Sequence, residues 1–475
     1  MRDEETMVID YDEPRKYTRS GAQLRFNDLP FARQEAHLHD VARRALPLWG
    51  YPDGSTLRLL NLTENATFRV DPPHDSGLPR IAMRVHRLDY ADRDSIEVEL
   101  RWLLHLNETT DLRLATPLAS TAGNLVETIL TNHMYDLADI TENRNVVCFS
   151  WVEGTAPLDS TDDTESMSSL LAALGTAPDS LTFPLVRGAA AIYDVLGHRG
   201  NHRSAMNDSD RRLYRRLGEI AAVLRRNQEE WAPSHSSMIS KRASWDWQAA
   251  FGPQWNNYYG SHYWDCSSTL SRHDVEAIDR ARRLMRGRLE AYGTSSGRYG
   301  LIHSDLRPSN MLDDGTSLAV LDFDDCAYGW YMTDIAGIVG FMEHRPDLQD
   351  VLAEVLGGYE SVWPLDPVER AEIPTFILMR RVGLFQSLLY HMHNTAPGSN
   401  EGAEISPELV AFYGKGTAML ARRYCSEFGK RPKPAPESAT GDTIATIITM
   451  TDDATTTPPE PTASVPTPTS TTRAA

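Results

Sequence analysis

Short apolar runs separated by turn-forming segments fill the first third of the chain. The runs Leu57 to Leu62, Ala66 to Val70 and Ile81 to Val85 are rich in aliphatic and β-branched residues, and the segments between them carry Asn, Asp, Pro and Gly. This pattern predicts three short strands joined by turns. From residue 96 to 104 the apolar residues recur every three to four positions, which predicts a helix with Asp94 as its N-cap.

Two further strands are predicted at Asn124 to Thr131 and Val146 to Trp151. Beyond residue 152 the apolar pattern becomes mostly helical, most clearly over Leu213 to Asn227 and Val275 to Ala291. The order of elements is therefore strands, helix, strands and then many helices. We predict an α+β fold whose amino-terminal part is β-rich and whose carboxy-terminal part is mainly helical.

Composition sets the ends of the predicted domains. Residues 431–475 contain 13 Thr, 8 Pro and no aromatic residue, so they cannot offset their ordering entropy by apolar burial. We predict a disordered Thr/Pro-rich tail there. Residues 155–212 are rich in Ser, Asp and Thr and are interpreted as a partly flexible insertion. The predicted division is an N-terminal extension (1–50), a β-rich part (51–152), a helical part with the insertion (153–430) and the tail.

Charge and cysteine usage exclude several classes of protein. With 47 Lys+Arg against 66 Asp+Glu, the net charge of -19 argues against a basic nucleic-acid binder. The four cysteines are far apart, which argues against disulfide scaffolds and zinc ribbons. The amino terminus lacks the apolar region of a signal peptide, and no run of about 18 apolar residues occurs. We expect a cytoplasmic protein without a membrane partner.

The stretch from residue 300 to 340 carries the candidate chemistry. Asp305 follows a short apolar run, and Pro308 disfavours a helix just before it, so Asp305 is predicted to lie on a loop. Asn310 and Asp322 flank a predicted hairpin with the turn Asp-Asp-Gly, which brings the two side chains together. An Asn oxygen beside an Asp carboxylate offers the hard oxygen ligands that Mg²⁺ prefers.

The order of these residues is typical of phosphoryl transfer. His303-x-Asp305-x-x-x-x-Asn310, followed after the hairpin by Asp322, matches the kinase catalytic loop and its metal-binding Asp. Asp322-Phe323-Asp324 stands where many protein kinases have D-F-G. Each fragment alone is a weak signal, but the ordered set downstream of a β-rich region is specific.

These motifs resemble the aminoglycoside phosphotransferase, choline kinase and homoserine kinase superfamily, the bacterial phosphotransferase enzyme family. The resemblance covers roughly residues 50 to 425 and rests on IHSDLRPSNML, VLDFDDCAYGWYMTDIA and IAMRVHR. It implies a bilobal protein-kinase-like fold with a nucleotide-binding N-lobe and a C-lobe that carries the catalytic hairpin. It also implies ATP and Mg²⁺ as cofactors and a small-molecule hydroxyl acceptor: an amino alcohol, amino acid, sugar or aminoglycoside. Ser304 departs from the family's usual H-G-D.

The resemblance assigns roles to the residues of this motif. Asp305 becomes the general base or hydroxyl-orienting carboxylate, and Asn310 and Asp322 become the Mg²⁺ ligands. His303 would support the loop rather than take part in catalysis. Asp324 is left open between a second metal site and loop hydrogen bonds. Asp334 would brace the catalytic loop by hydrogen bonds.

A kinase-like site also needs a cation on the nucleotide phosphates. No lysine occurs between Lys16 and Lys241, and Arg84 stands in Ile-Ala-Met-Arg where a kinase has V-A-I-K. Glu99 on the following helix is its predicted partner, with Glu97 as the second choice. Arginine keeps its charge but differs from lysine in geometry.

Besides Arg84 and Glu99, three further residues are predicted to bind the nucleotide. Asn65 lies in a turn that contains no glycine, and the resemblance suggests that this turn faces phosphate. Phe149 and Trp151 close the last N-lobe strand and are interpreted as a hinge that binds adenine through its backbone.

The sequence leaves two other functions open. One is a Ser/Thr protein kinase of the same superfamily, which would need an open acceptor groove. The other is a pseudokinase that binds nucleotide without turnover, an alternative raised by Arg84 in the lysine position. Five of the ten tryptophans lie between residues 231 and 264, as core residues or as the lining of an acceptor pocket. The oligomeric state is not determined.

Overall fold

A computed structural model gives the fold of most of the chain. The described residues are 26, 31–62, 65–88, 91–131, 142–157, 206–251, 269–343, 347–394 and 407–429. The predicted tail and most of the predicted insertion lie outside them. The elements form an α+β fold, as the sequence predicted. No helix in the described part is both long enough and apolar enough to cross a membrane.

The strands in the described part of the chain belong to three sheets. In chain order they are β1 (Thr56–Leu62), β2 (Ala66–Asp71), β3 (Ile81–Val85), β4 (Arg113–Leu114), β5 (Pro117–Leu118), β6 (Glu127–Thr131), β7 (Glu142–Ser150), β8 (Ser244–Trp245), β9 (Tyr299–Ile302), β10 (Met311–Asp313), β11 (Leu318–Val320) and β12 (Ala327–Trp330). The largest sheet has the order β1-β2-β3-β7-β5, with β6 also paired to β7. Strands β1 to β3 confirm the three strands predicted from the apolar runs.

The helices make up most of the rest. They are α1 (Phe31–Ala45), α2 (Arg93–Thr109), α3 (Asp208–Trp231), α4 (Ser236–Ile239), α5 (Trp247–Phe251), α6 (Arg272–Tyr292), α7 (Met332–Ile338), α8 (Leu348–Val362), α9 (Pro367–Asn394) and α10 (Pro407–Phe428). Helices α3 and α6 contain the two segments with the clearest helical period.

One face of the large sheet is covered by α1. Leu38 and Val41 of this helix share a buried core with Phe68 and Met83 of β2 and β3. Side chains of β2 alternate between buried and half-buried positions, as a strand with one face on a core requires. The final part of the predicted N-terminal extension therefore packs against the sheet.

Helix α2 begins two residues earlier than the sequence indicated. The side chain of Asp92, in extended conformation, accepts a hydrogen bond from the N–H of Ser95 at 2.8 Å and is the N-cap. The prediction that Asp94 caps the helix is wrong, because Asp94 already lies in the first turn. A carboxylate there still interacts favourably with the helix dipole.

The helices α3 and α8 cross at two glycines. A Cβ on Gly218 would lie 1.9 Å from the carbonyl oxygen of Val355, and one on Gly358 would lie 1.9 Å from that of Arg215. Any side chain at either glycine would therefore force the two backbones apart. This close packing gives the helical part a rigid base for the segments that follow.

The predicted hairpin is confirmed. Strands β10 and β11 pair antiparallel, with Met311 opposite Val320, and β11 also pairs in parallel with β4. Asn310 lies in a single 3₁₀ turn, Pro308–Asn310, just before β10, rather than in the strand itself. Because β11 pairs with β4, the hairpin is attached to the segment that follows α2. This pairing holds the loops at the two ends of the hairpin in place.

Candidate active site

Asp305 lies in the loop between β9 and the 3₁₀ turn, with 12% of its side chain exposed. The Nε of Arg307 lies 3.0 Å from its Oδ2, and Nη2 of Arg380 pairs with its Oδ1. Nδ2 of Asn310 donates to Oδ2 at 2.8 Å. Burial acts to raise the pKa of Asp305, but the charges of Arg307 and Arg380 outweigh burial and lower it. Asp305 is therefore ionised at neutral pH.

His303 and Asp334 support this loop from behind. Nε2 of His303 lies 2.9 Å from the carbonyl oxygen of Leu321, which can only accept, so Nε2 carries the proton. Nδ1 then accepts from the N–H of Asp305 at 3.3 Å. The carboxylate of Asp334 accepts from the N–H of His303 at 3.0 Å and of Ser304 at 2.8 Å. Both side chains therefore form hydrogen bonds with the backbone of the loop that carries Asp305.

Ser304 adopts a conformation that glycine prefers. Its φ of 76° is in the left-handed region, which costs an L-residue about 1 kcal/mol or more. We expect Ser304→Gly to raise the free energy of unfolding by about 0.5 to 1 kcal/mol, since glycine removes this strain at some cost in chain entropy. Urea denaturation would measure the change. Ser304→Ala is the control because it keeps the Cβ, and an equal gain in that variant would contradict the conformational explanation.

Asp322 and Asp324 form a coupled pair at the end of β11. A hydrogen bond joins their side chains, and the negative charge of Asp324 raises the pKa of Asp322 well above its usual range. Burial acts to raise the pKa of Asp324, but Arg84 and the hydrogen bond from Asp322 outweigh burial and hold that pKa at about 2. The two carboxylates thus lie close enough to oppose each other's negative charge, which a bound cation would offset.

The oxygens at this position fit a hard divalent cation. Nδ2 of Asn310 is used towards Asp305, so its Oδ1 is the atom available to a metal. Together with Asp322 and Asp324 it gives an oxygen donor set of the type Mg²⁺ prefers. Among the described residues no group of three or more His, Cys, Asp and Glu side chains forms a metal site. A cation here would therefore need further ligands from phosphate oxygens and water.

Arg84 makes the ion pair that the sequence predicted. Its Nη2 lies 2.6 Å from Oε1 of Glu99, and the two side chains are only 7% and 1% exposed. Glu97, the second choice, pairs instead with arginines of its own helix. Burial acts to lower the pKa of Arg84, but Glu99 and then Asp324 outweigh burial and raise it. A permanent positive charge is thus held beside the paired carboxylates.

Asn65 is turned towards the same carboxylates. Its Nδ2 donates to Oδ2 of Asp324 at 2.5 Å, and its Oδ1 accepts from the N–H of Arg87 at 2.9 Å. Both ends of the amide therefore have protein partners. The structure places Asn65 at the metal-type site, the group formed by Asn310, Asp322 and Asp324, rather than at a free loop tip.

The two predicted hinge residues, Phe149 and Trp151, differ in their position relative to the sheet. Phe149 lies in β7 between paired Ala82 and Pro117, and its ring centroid is 5.2 Å from the guanidinium carbon of Arg84. Trp151 follows the strand, is half-buried, and its Nε1 has no hydrogen-bond partner among the described residues. Backbone groups outside the sheet thus begin after Ser150, which is still paired with Ile81.

Arg242 is a site residue that sequence reasoning missed. Its Nε donates to the carbonyl oxygen of Cys326 at 2.6 Å, and its Nη2 donates to the carbonyl oxygen of Asp324. Its Nη1 lies 3.2 Å from the carbonyl oxygen of Ser95. One buried guanidinium therefore connects α2, which carries Glu99, to the loop of the paired carboxylates. No local pattern around Arg242 could reveal contacts with such distant segments.

We expect Arg242→Lys to lower kcat/KM for nucleotide about tenfold, because one ammonium cannot replace donors pointing in three directions. The loss should fall mainly on the KM for nucleotide. Steady-state kinetics and thermal unfolding would be measured together, with Arg216→Lys on the exposed face of α3 as the control. A drop in stability with an unchanged KM for nucleotide would contradict this positioning role.

Arg307 and Arg380 were also missed. The charge of Arg307 acts on Asp322 as well as on Asp305, so Arg307 faces the metal-type site. Arg380, on α9, donates from Nη1 to the carbonyl oxygen of Ser304 at 3.2 Å. Arg307 lies within the motif and could have been noticed by its position beside Asp305. Arg380 is 75 residues from Asp305, and only the fold brings them together.

Comparison with known proteins agrees with this geometry. The sequence profile of the family described as "Phosphotransferase enzyme family" matches residues 56–368, more than half of the chain. A structure of the microcompartment-associated aminopropanol kinase has 30% sequence identity and a TM-score of 0.60, and the match covers 83% of this chain and 99% of that one. A structure of the amicoumacin kinase hAmiN in complex with AMP-PNP, Ca²⁺ and Ami shares the fold at 16% identity and a TM-score of 0.54, covering 82% and 94% of the two chains.

A curated relative adds a third kinase. Hydroxylysine kinase of Mus musculus is 28% identical over 185 residues, which are 36% of this chain and 46% of that protein. The alignments with curated relatives span between 24% and 46% of those relatives' lengths. The family predicted from the motifs is confirmed by the profile and by the protein-kinase-like structures. This chain belongs to the phosphotransferase enzyme family.

Proposed function

We propose that this chain is an ATP- and Mg²⁺-dependent kinase that transfers the γ-phosphoryl group to a hydroxyl of a small molecule. The observation that carries the proposal is the arrangement of three parts around one loop. An ionised Asp305 lies within hydrogen-bond distance of Asn310, the carboxylates of Asp322 and Asp324 are paired, and Arg84 is charged beside them. Phosphoryl transfer needs these parts: a hydroxyl-orienting carboxylate, metal ligands and a cation for the phosphates.

The nucleotide would bind to the N-lobe, residues 51–152, with its phosphates towards Arg84. The Glu99 carboxylate keeps that guanidinium in one position, so its charge is already oriented when nucleotide arrives. Asn310 and Asp322 would hold Mg²⁺, with Asp324 beside them. When bound, the ion would offset negative charge on the phosphate oxygens. Trp151 marks the point where the backbone becomes available for adenine.

Asp305 would act on the acceptor, in the part of the chain from 153 to 430. Since Arg307 and Arg380 lower its pKa, Asp305 is a weak base towards a free alcohol. In a loose transition state the hydroxyl proton becomes acidic only as the bond to phosphorus forms. Asp305 would therefore first orient the hydroxyl by accepting its hydrogen bond and take the proton late in the transfer.

The acceptor class is supported by the relatives. They are described as kinases of aminopropanol, amicoumacin and hydroxylysine. A small molecule carrying a hydroxyl is common to them, and we extend this class to the present chain. The range proposed is an amino alcohol, amino acid, sugar or aminoglycoside.

The proposal is tested by measuring ADP formation with ATP and Mg²⁺ over a panel of these acceptors and a generic protein. We expect turnover that depends on one small-molecule class. Turnover only with the protein acceptor would favour a protein kinase instead. Nucleotide binding, followed by thermal shift, without any acceptor-dependent turnover would favour a pseudokinase.

A further inference from the structure

We propose that Arg380 is an acceptor-binding residue that selects acceptors with a carboxylate next to the phosphorylated hydroxyl. This inference rests on the proposed function and deepens it, because it chooses hydroxy acids, such as hydroxy amino acids, over plain amino alcohols. It concerns one side chain, supplied by α9, that no catalytic motif contains.

The first observation is that two guanidinium groups meet one carboxylate. Oδ2 of Asp305 faces Arg307 and Oδ1 faces Arg380. The neighbouring Arg381, also in the described interior, forms an ion pair with a different acid, Glu343. Nη1 of Arg381 lies 2.6 Å from Oε2 of Glu343. Among the described residues Arg380 forms an ion pair only with Asp305, which it shares with Arg307.

The second observation is that the two arginines face different directions. Arg307 also interacts with the charge of Asp322 and so lies towards the proposed nucleotide phosphates. Arg380 instead acts on Asp334 and on Tyr413 of α10. The carboxylate of Asp334 accepts two main-chain N–H groups of the loop and is committed to them. Arg380 therefore lies on the side of Asp305 away from the proposed metal ligands.

The third observation is that Arg380 retains donors for a ligand. Its described contacts use Nη1, towards the carbonyl oxygen of Ser304, and Nη2, towards Asp305. Its Nε is buried and has no hydrogen-bond partner among the described residues. The side chain as a whole is 18% exposed, so a bound molecule would meet the second N–H groups of Nη1 and Nη2 rather than the buried Nε. A guanidinium with free donors is suited to a planar, two-oxygen anion.

These observations limit the chemistry of the acceptor. A hydroxyl that donates to Asp305 must approach the carboxylate oxygens, and the atoms bonded to its carbon then lie beside Arg380. A carboxylate there gains a charge-assisted hydrogen bond, whereas an ammonium group there meets a like charge. The selectivity would thus come from attraction of one class and repulsion of the other.

Matched acceptor pairs test this inference directly. L-Serine and ethanolamine, L-threonine and 1-aminopropan-2-ol, and L-homoserine and 3-aminopropan-1-ol differ only in the carboxylate. Binding of each compound would be measured by calorimetry to the full chain, free and with Mg²⁺ and AMP-PNP, and kcat/KM would be measured with ATP. We expect the carboxylate-bearing member of at least one pair to be favoured about tenfold or more.

Variants of Arg380 distinguish a role in binding the acceptor from a role in positioning Asp305. We expect Arg380→Gln to abolish the preference within the pair and Arg380→Lys to keep part of it, while Arg370→Gln, on the exposed face of the same helix, leaves it intact. If Arg380→Gln slows both members of a pair equally, Arg380 only positions Asp305 and the inference is overturned. Equal binding within every pair, or binding of neither member, also overturns it.

The two proposals fail in different ways. Turnover of amino alcohols alone would leave the proposed kinase function in place and remove the role of Arg380 in carboxylate selection. Carboxylate-dependent binding without any ADP formation would support the role of Arg380 and count against the kinase function.

Discussion

Replacing Asp305 by Asn is expected to lower kcat about 100- to 10,000-fold, the range found for loss of a positioned acid–base group. The affinity for nucleotide should change little, because Asp305 faces the acceptor rather than the proposed phosphate ligands. Asn keeps the shape of the side chain, and its amide oxygen can still accept the hydrogen bond from Asn310. The loop should therefore stay in place while the negative charge is lost.

The loss of charge has a second effect on the same site. Arg307 and Arg380 both pair with Asp305 and would be left without their counter-ion. Their side chains are 35% and 18% exposed, so water solvates Arg307 more readily than Arg380, and the unpaired Arg380 is expected to cost some stability. A measured Tm close to that of the wild type would show that the loss of turnover is chemical.

The experiment combines steady-state kinetics, nucleotide binding and thermal unfolding. Asp75→Asn, at an exposed position of the turn between β2 and β3, is the matched control and should behave as the wild type. A variant that keeps wild-type kcat with its best acceptor would remove Asp305 from the proposed mechanism.

Replacing Asp322 by Asn should lower kcat/KM about 100-fold or more, since a metal ion supplies several kcal/mol of charge stabilisation in phosphoryl transfer. The concentration of Mg²⁺ needed for half-maximal activity should also rise. This change should leave the metal-free protein at least as stable as the wild type. The reason is that Asp322 and Asp324 repel each other, as the raised pKa of Asp322 shows.

The backbone conformation at position 322 also favours unchanged or higher stability of the Asn variant. Asp322 has a φ of 62°, and Asn tolerates this left-handed region as well as Asp does. Its side chain is exposed, so solvent screening keeps the gain small. Mg²⁺ titrations of activity and Tm measurements without metal would test both expectations. Wild-type Mg²⁺ dependence in the variant would exclude Asp322 as a ligand.

Local patterns were sufficient for much of the fold. The apolar runs predicted β1 to β3 because a strand with one buried face repeats every second residue, and this signal is contained within a few positions. The catalytic hairpin followed from a turn of Asp, Asp and Gly between two apolar runs. The exact start of α2 was not predictable, because Asp92 and Asp94 are both suitable caps and only the backbone conformation chooses between them.

The Arg84–Glu99 ion pair is a contact between two elements that a sequence motif could predict. It joins a strand to the helix that follows, 15 positions later, and the family resemblance supplied the geometry between them. The partners of Asn65 were not foreseen. Its amide reaches Asp324, 259 positions away, and no periodicity connects a turn of the N-lobe to that loop.

The sequence by itself determined the family, the order of strands and helices, and the residues His303, Asp305, Asn310 and Asp322, because each of these depends on spacing within a short segment. Tertiary structure alone decided which arginines complete the site. Arg242 and Arg380 act through contacts across 75 to 147 positions, and such contacts exist only once packing has brought the segments together. An arginine on a helix surface and one that pairs with the Asp305 carboxylate look the same in a sequence, since what separates them is the charge and burial around the guanidinium group.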